Sequence, residues 1–479
     1  MKGKQNKKEF QQGGRQKMQK EYFFTRDRGF YRQLFRLMLV ITLQNLVAYS
    51  VNMADNLMLG NYGQTALSGA TVVNQIFFLV QQVTSAIGDT VVILGAQYWG
   101  QKRVEPICRL TGTALKAGLV LGILIVAAVS IAPAAILGIF TSDPAIVAEG
   151  MKYLEIIKYT FLLFIVTNVM MAALRCVETV NISFAISLLS LLVNVGINYC
   201  LIYGKFGFPE MGIRGAAIGT LAARILELAI VLWYTACRDR KLRLFTNSFL
   251  KRDRKLGRDF VKVGAPVLLA QLIWAIAVPV QTAIMGHMSS DAIAANSVAT
   301  TFYQYLKVVA VAMSSATAVM IGSAVGKGDR KRIKSDARTI EVLDLLIGLL
   351  LGVMLFILRR PLLGFYNISP EASRLALQML ALLSVVMVGM AYQMPVSMGI
   401  IRGGGDTRFP MILNIVSTWG IVMPLSFLSA FLWKWPVILV VLALQSDQLF
   451  KCIPVFFRMR SYKWIKKLTR KDENTTEEK

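Results

Sequence analysis

The chain has 479 residues, of which 55% are hydrophobic and 17% charged, with a formal net charge of +26 and one histidine. That ratio excludes a soluble domain, which would leave too much apolar surface in water. One histidine and five scattered cysteines leave almost nothing for a zinc centre, a histidine-based triad or a disulfide framework, and Cys108, Cys176, Cys200, Cys237 and Cys452 show no metal or redox spacing.

A basic, polar arm over 1–32 comes first, with Phe23, Phe24, Phe30 and Tyr31 near its end. It predicts an amphipathic approach along the membrane surface, and the apolar run that follows is too long for a signal-peptide h-region. A bilayer core takes about 20 apolar residues per helix. On that ruler the chain contains spans at 34–59, 66–96, 111–138, 151–174, 181–203, 214–236, 261–286, 291–325, 340–360, 373–400, 409–431 and 435–457. The class predicted is an all-α polytopic membrane protein with 12 transmembrane helices in two six-helix lobes. Its divisions are 33–237 for the first lobe, 238–259 for a basic linker, 260–458 for the second lobe, and 459–479 for a tail.

The second six spans repeat the first. Gly60 and Gly286, Ala66 and Ala292, Val72 and Val298, and Gly100 and Gly326 are each 226 apart, and Arg175 and Arg402 are 227 apart. An even number of spans per half makes this a parallel repeat about an axis along the membrane normal, an arrangement found in transporters.

An ionisable group inside a span costs about 2.5–3.5 kcal/mol on insertion scales, so each is a functional candidate. The first span contributes Asp55, flanked by Asn52 and Asn56. A buried carboxylate can bind a cation or carry a proton, because burial disfavours the charged form and a bound ion restores it. Its repeat mate is Gln281, so a role confined to one lobe fits better than a structural need shared by both. The plainer alternative is a carboxylate hydrogen-bonded to amides near the outer interface. The second span adds Gln81, Gln82 and Asp89. In the fifth, Asn194 and Asn198 share one helix face at i, i+4, as interhelical glue or as oxygen ligands. In the sixth, Thr220 ends a Gly215-Ala-Ala-Ile-Gly run that also reads as a small-residue packing face, and Arg224 and Glu227 follow.

The second lobe has a different character. Trp274, Tyr303, Tyr305, Met313, Met390, Gln393 and Met394 crowd its first, second and fourth spans, with Pro266, Pro279, Pro395 and Pro424 interrupting those helices or adjacent ones. Met and aromatic side chains suit a pocket for varied apolar cations; ordinary packing is the alternative. Asp447 and Lys451 stand four apart in the last span and predict an internal ion pair. Arg175 and Arg402, each just past a fourth span, read as gate or loop anchors.

Charge then sets the sides. Alternate connections collect roughly 40 Lys and Arg on one side against roughly 6 on the other, which makes the rich side, with both termini, cytoplasmic. The basic runs Arg238–Arg258, Lys327–Arg338 and Arg458–Lys471 are expected against anionic headgroups, so no nucleic-acid partner is implied.

Taken in order, several motifs resemble the MATE (multidrug and toxic compound extrusion) family. They are Asp55-Asn-Leu-Met-Leu-Gly60, Gly95-Ala-Gln-Tyr-Trp-Gly-Gln101, Ala173-Leu-Arg175, Asn194-Val-Gly-Ile-Asn198, Met211-Gly-Ile-Arg-Gly-Ala-Ala-Ile-Gly-Thr220, Gly322-Ser-Ala-Val-Gly-Lys-Gly-Asp329 and Ile401-Arg-Gly-Gly-Gly-Asp-Thr407. The resemblance implies two six-helix lobes in a V and cation-coupled antiport. It also implies a first-lobe coupling-ion site whose Asp, Asn, Asp and Thr fall on Asp55, Asn194, Asn198 and Thr220, with Asn198 replacing the second carboxylate. A second-lobe Glu of another branch has no counterpart in Pro266–Trp274. The expectation is a monomeric, non-enzymatic exporter of organic, often cationic, small molecules in the bacterial inner membrane. It would use H+ or Na+ and no cofactor, with no metal beyond Na+ at the coupling site. A flippase of lipid-linked or polysaccharide precursors is the alternative, disfavoured because the basic residues lie mostly outside the spans.

Overall fold

The computed structural model describes residues 24–245, 249, 251, 253–364, 366 and 368–470. The arm over 1–23 and the tail over 471–479 lie outside the described residues. Among the described residues 12 helices are long and apolar enough to cross a membrane. They are α1 (Arg28–Tyr62), α2 (Gln64–Gly100), α3 (Glu105–Ile131), α4 (Pro144–Cys176), α5 (Asn181–Tyr203), α6 (Ile213–Arg238), α7 (Arg254–Gly286), α8 (Asp291–Lys327), α9 (Arg330–Leu363), α10 (Pro370–Ile401), α11 (Arg408–Leu432) and α12 (Val437–Ser461). No strand occurs among these residues.

Helix starts follow the local chemistry. Asp27, Asp143, Asp253, Ser289, Asp329 and Ser369 each accept a hydrogen bond from a backbone N–H in the first turn that follows. Pro144 and Pro370 open α4 and α10, where a missing N–H costs nothing. Four stretches widen into π-helix: Tyr234–Arg238, Pro395–Ile401, Val416–Val422 and Leu428–Leu432. The one at Pro395 begins at a residue that cannot donate to the ladder.

The halves interlock at the face that carries the basic runs. The start of α1, through Leu34, Leu37 and Ile41, packs among Met313, Ile340 and Val396 of the second half. The start of α7, through Phe260, Val263 and Val267, packs among Val91, Leu94 and Ile107 of the first. Each helix then returns to its own half, Leu59 to one core and Met285 to the other. All four of these pairs stand 226 apart, so the crossing is itself two-fold symmetric.

The seam between α2 and α8 is equally symmetric. A Cβ on Gly100 would stand 2.1 Å from the Ser323 carbonyl, and one on Gly326 would stand 2.0 Å from the Gln97 carbonyl. Gly322 lies against Ala96 between them.

The basic run after α12 departs from the expected headgroup contact and docks on the protein. Trp464 is fully buried against Gly404, and the Lys466 N–H donates to the Gly404 carbonyl at 2.9 Å. Gln97 closes the strap on the first half: its Nε2 donates to the Lys466 carbonyl at 3.1 Å, and its Oε1 accepts from the Leu468 N–H at 2.8 Å. Arg470 grips Asp259 through two nitrogens, at 2.5 and 2.8 Å. Buried Asp406 accepts from Lys466 at 2.9 Å and from Arg458.

Candidate functional site

Asp55, Asn194, Asn198 and Thr220 come together from α1, α5 and α6. Asn198 Nδ2 donates to the Asp55 carboxylate at 2.5 Å and also to Asn194 Oδ1 at 3.3 Å. Asn194 Nδ2 in turn donates to the Thr220 hydroxyl at 3.2 Å. Asp55 is 8% exposed and both asparagines are fully buried. The Asn198 Oδ1 is buried with no hydrogen-bond partner, an unusual state for a polar atom. A Cβ on Gly219 would stand 2.0 Å from that oxygen, so bare helix backbone makes the room it occupies. The small-residue reading of this run holds as well, since Gly215 presses on the Leu201 carbonyl. One turn beyond Thr220, Arg224 pairs with buried Glu227 at 2.6 Å.

The cluster therefore presents one carboxylate, two carboxamides and a hydroxyl, with one carbonyl oxygen unsatisfied. Such a set of hard oxygens suits a proton or a small hard cation, not a soft metal.

The second-lobe residues do not gather in the same way. Tyr303 and Met390 belong to the core of the second half, Met313 to the neighbouring core that α1 completes, and Met394 packs against the former. Gln393 is buried and donates to Gln448 Oε1 at 2.9 Å. Met313 and Met390 are each 1% exposed. Trp274 and Tyr305 do face the other half: Trp274 lies beside Phe78 with Lys307 over its ring, and Tyr305 meets Tyr49 and Met53.

Arg402 bridges the halves by pairing with Asp89 at 2.9 Å, and Gln271 also donates to Asp89, at 3.4 Å. Arg175 has no ion pair among the described residues. The expected pair Asp447–Lys451 forms at 2.7 Å, with Asn414 as a further acceptor for Lys451 at 3.0 Å.

Four buried carboxylates escaped the sequence reading, Asp336 and Asp406 near the basic runs and Glu341 and Asp344 on α9. Glu341 and Asp344 open the apolar part of their span, directly after the basic run, and so resemble loop charges. Their i, i+3 spacing was the available signal.

The MatE family pattern matches residues 41–200 and again 266–428, one match in each half. The chain belongs to the MatE family. This MATE transporter is 24% identical over 439 residues to the probable multidrug resistance protein NorM of Thermotoga maritima, covering 91% of this chain and 93% of that one. It is 27% identical over 411 residues to a probable NorM of Xylella fastidiosa, covering 84% and 86%. Among solved structures, the MATE transporter VcmN of Vibrio cholerae superposes with a TM-score of 0.83 at 16% identity, covering 91% and 98%. A multidrug resistance MATE transporter solved in an outward-facing conformation superposes at 0.82 and 18%, with the same coverage. The expected family, the all-α class and the membrane-transport role are thus the observed ones.

Proposed function

We propose that this MATE transporter exports organic, often cationic, small molecules from the cytoplasm by alternating access, in exchange for H+ or Na+ held at Asp55. Efflux is supported by the multidrug-resistance names of relatives that align over most of their length. Coupling in the first half is supported by one observation above all. Asp55 sits in a buried oxygen cluster whose Asn198 Oδ1 is left unsatisfied, while its repeat mate is Gln281.

Alternating access requires ion and substrate to favour different states, since a ligand with equal affinity for both shifts nothing. The symmetric contacts of Gly100 and Gly326 close one end of the seam between the halves. The positive-inside rule makes that end cytoplasmic, along with both termini. An ion entering from outside at Asp55 would then stabilise the state that releases substrate outward. Each net charge moved is worth about 2.3 kcal/mol per 100 mV, somewhat over tenfold in accumulation.

Linkage supplies the test, because coupling between two ligands is reciprocal. Tetraphenylphosphonium binding to the purified protein should weaken as H+ or Na+ rises, and Asp55→Asn should remove that dependence. Equal dependence in both proteins rules out the site. The flippase reading has less support, because the basic residues lie mostly outside the spans.

A further inference from the structure

Glu341 and Asp344 on α9 stand three residues apart, so they share one helix face. Glu341 is matched: the Tyr392 hydroxyl donates to one of its oxygens at 2.9 Å, and Arg460 lies 2.9 Å from the other. Asp344 is 1% exposed and neither of its oxygens has a hydrogen-bond partner.

Packing keeps a partner out. One turn along α9, a Cβ on Gly348 would stand 3.0 Å from the Val388 carbonyl, and one on Gly352 would stand 2.5 Å from the Ser384 carbonyl. The helices α9 and α10 are thus pressed backbone to backbone beside Asp344. The titratable groups that reach the cluster from neighbouring elements are Tyr392 on α10 and Arg460 on α12. Among the described residues, Asp344 forms no ion pair, and the nearest carboxylate along its own helix face is Glu341.

Charge counting follows from these contacts. Two carboxylates and one guanidinium leave one negative charge uncompensated in a dry site, where an unpaired charge is strongly disfavoured. One proton removes it. We propose that Asp344 is a second protonation site of this transporter, taking up and releasing one proton in the second half. An O–H bond forms on one Asp344 oxygen as an O–H bond of a hydronium ion breaks and leaves water; the reverse step returns the proton to a water molecule. Arg460, about a third exposed at the basic end of α12, links the cluster to the face through which that water would come. The inference goes beyond the Asp55 reading and does not rest on it.

The test is infrared difference spectroscopy of the whole protein in lipid, across a pH titration. A protonated-carboxyl C=O band should appear and titrate in wild type and in Asp55→Asn, and be missing in Asp344→Asn. Glu341→Gln, which keeps the size of the neighbour but removes its charge, should keep the band and move its midpoint by a unit or more. That second variant decides the matter if Asp344→Asn does not fold. A band unchanged in Asp344→Asn, a midpoint unmoved in Glu341→Gln, or a band that answers to Na+ at fixed pH and not to pH would each overturn the proposal.

Discussion

Gly100 and Gly326 are repeat mates that meet each other's helices. Gly100 faces the Ser323 carbonyl and Gly326 faces the Gln97 carbonyl, and Gln97 and Ser323 are themselves 226 apart. The pseudo-two-fold axis therefore passes through this seam, and glycine is required on both sides because any Cβ would overlap a carbonyl oxygen. In the proposed alternating-access cycle a contact so close could be made only while this end is shut, which would tie two glycines to that cycle.

Gly100→Val should force the seam apart. Spin labels at Lys102 and Lys327, introduced as cysteines in a Cys237→Ser background, should move apart by several ångströms relative to the glycine protein. An unchanged distance distribution would mean that the seam absorbs the side chain by local repacking.

Gly219→Ala should displace Asn198, whose Oδ1 would lie 2.0 Å from the new Cβ. Ion-driven transport should fall to about the level of Asp55→Asn. Gly196 on α5 has nothing within 4 Å of its would-be Cβ, so Gly196→Ala should transport normally. Equal activity in the two variants would detach the Asn198 geometry from coupling.

Asp406 should make strap docking depend on acid. Its burial disfavours the anion, but hydrogen bonds from Lys466 and Arg458 outweigh that and hold the carboxyl below its usual range. A depressed carboxyl contributes stability above its undocked value, and that contribution is lost as pH falls through the docked one. A spin label at Lys467 should therefore be immobile at neutral pH and become mobile only in acid below the usual aspartate range. In Asp406→Asn it should be mobile already at neutral pH. Mobility that ignores both changes would show that Trp464 and Gln97 hold the strap alone.

Asp89 and Arg402 should prove energetically coupled across the halves. Both are partly buried, at 23% and 14% side-chain exposure, so removing either strands the other. A double-mutant cycle of Asp89→Ala and Arg402→Ala, read by thermal unfolding in one detergent, should give a coupling of about 0.5–3 kcal/mol. Additive losses would mean that Gln271 replaces Arg402 as the partner of Asp89.

Much of the fold was legible because membrane helices announce themselves by length, whereas the caps Asp27, Asp143, Asp253 and Ser369 start four of them ahead of the apolar runs read from 34, 151, 261 and 373. The repeat register exposed the axis through Gly100 and Gly326 before any contact was known. Asn194 and Asn198 could be placed on one face by spacing, and the motif order brought Asp55 and Thr220 to them. The second-lobe cavity residues were harder. In a bilayer both the lipid face and the core are apolar, so Met313 and Met390 carry no sign of which way they point. The strap was invisible for another reason: Lys466 meets Asp406 60 residues away and Arg470 meets Asp259 211 residues away, and a basic run carries no record of such partners.

The measurement that bears most directly on coupling at Asp55 is fluorescent-cation transport in proteoliposomes under separately imposed pH and Na+ gradients. Wild type should transport when one gradient is applied, naming the ion, and Asp55→Asn and Asp55→Ala should not. Normal gradient-driven transport by both variants, or movement in wild type that ignores both gradients, would contradict the account.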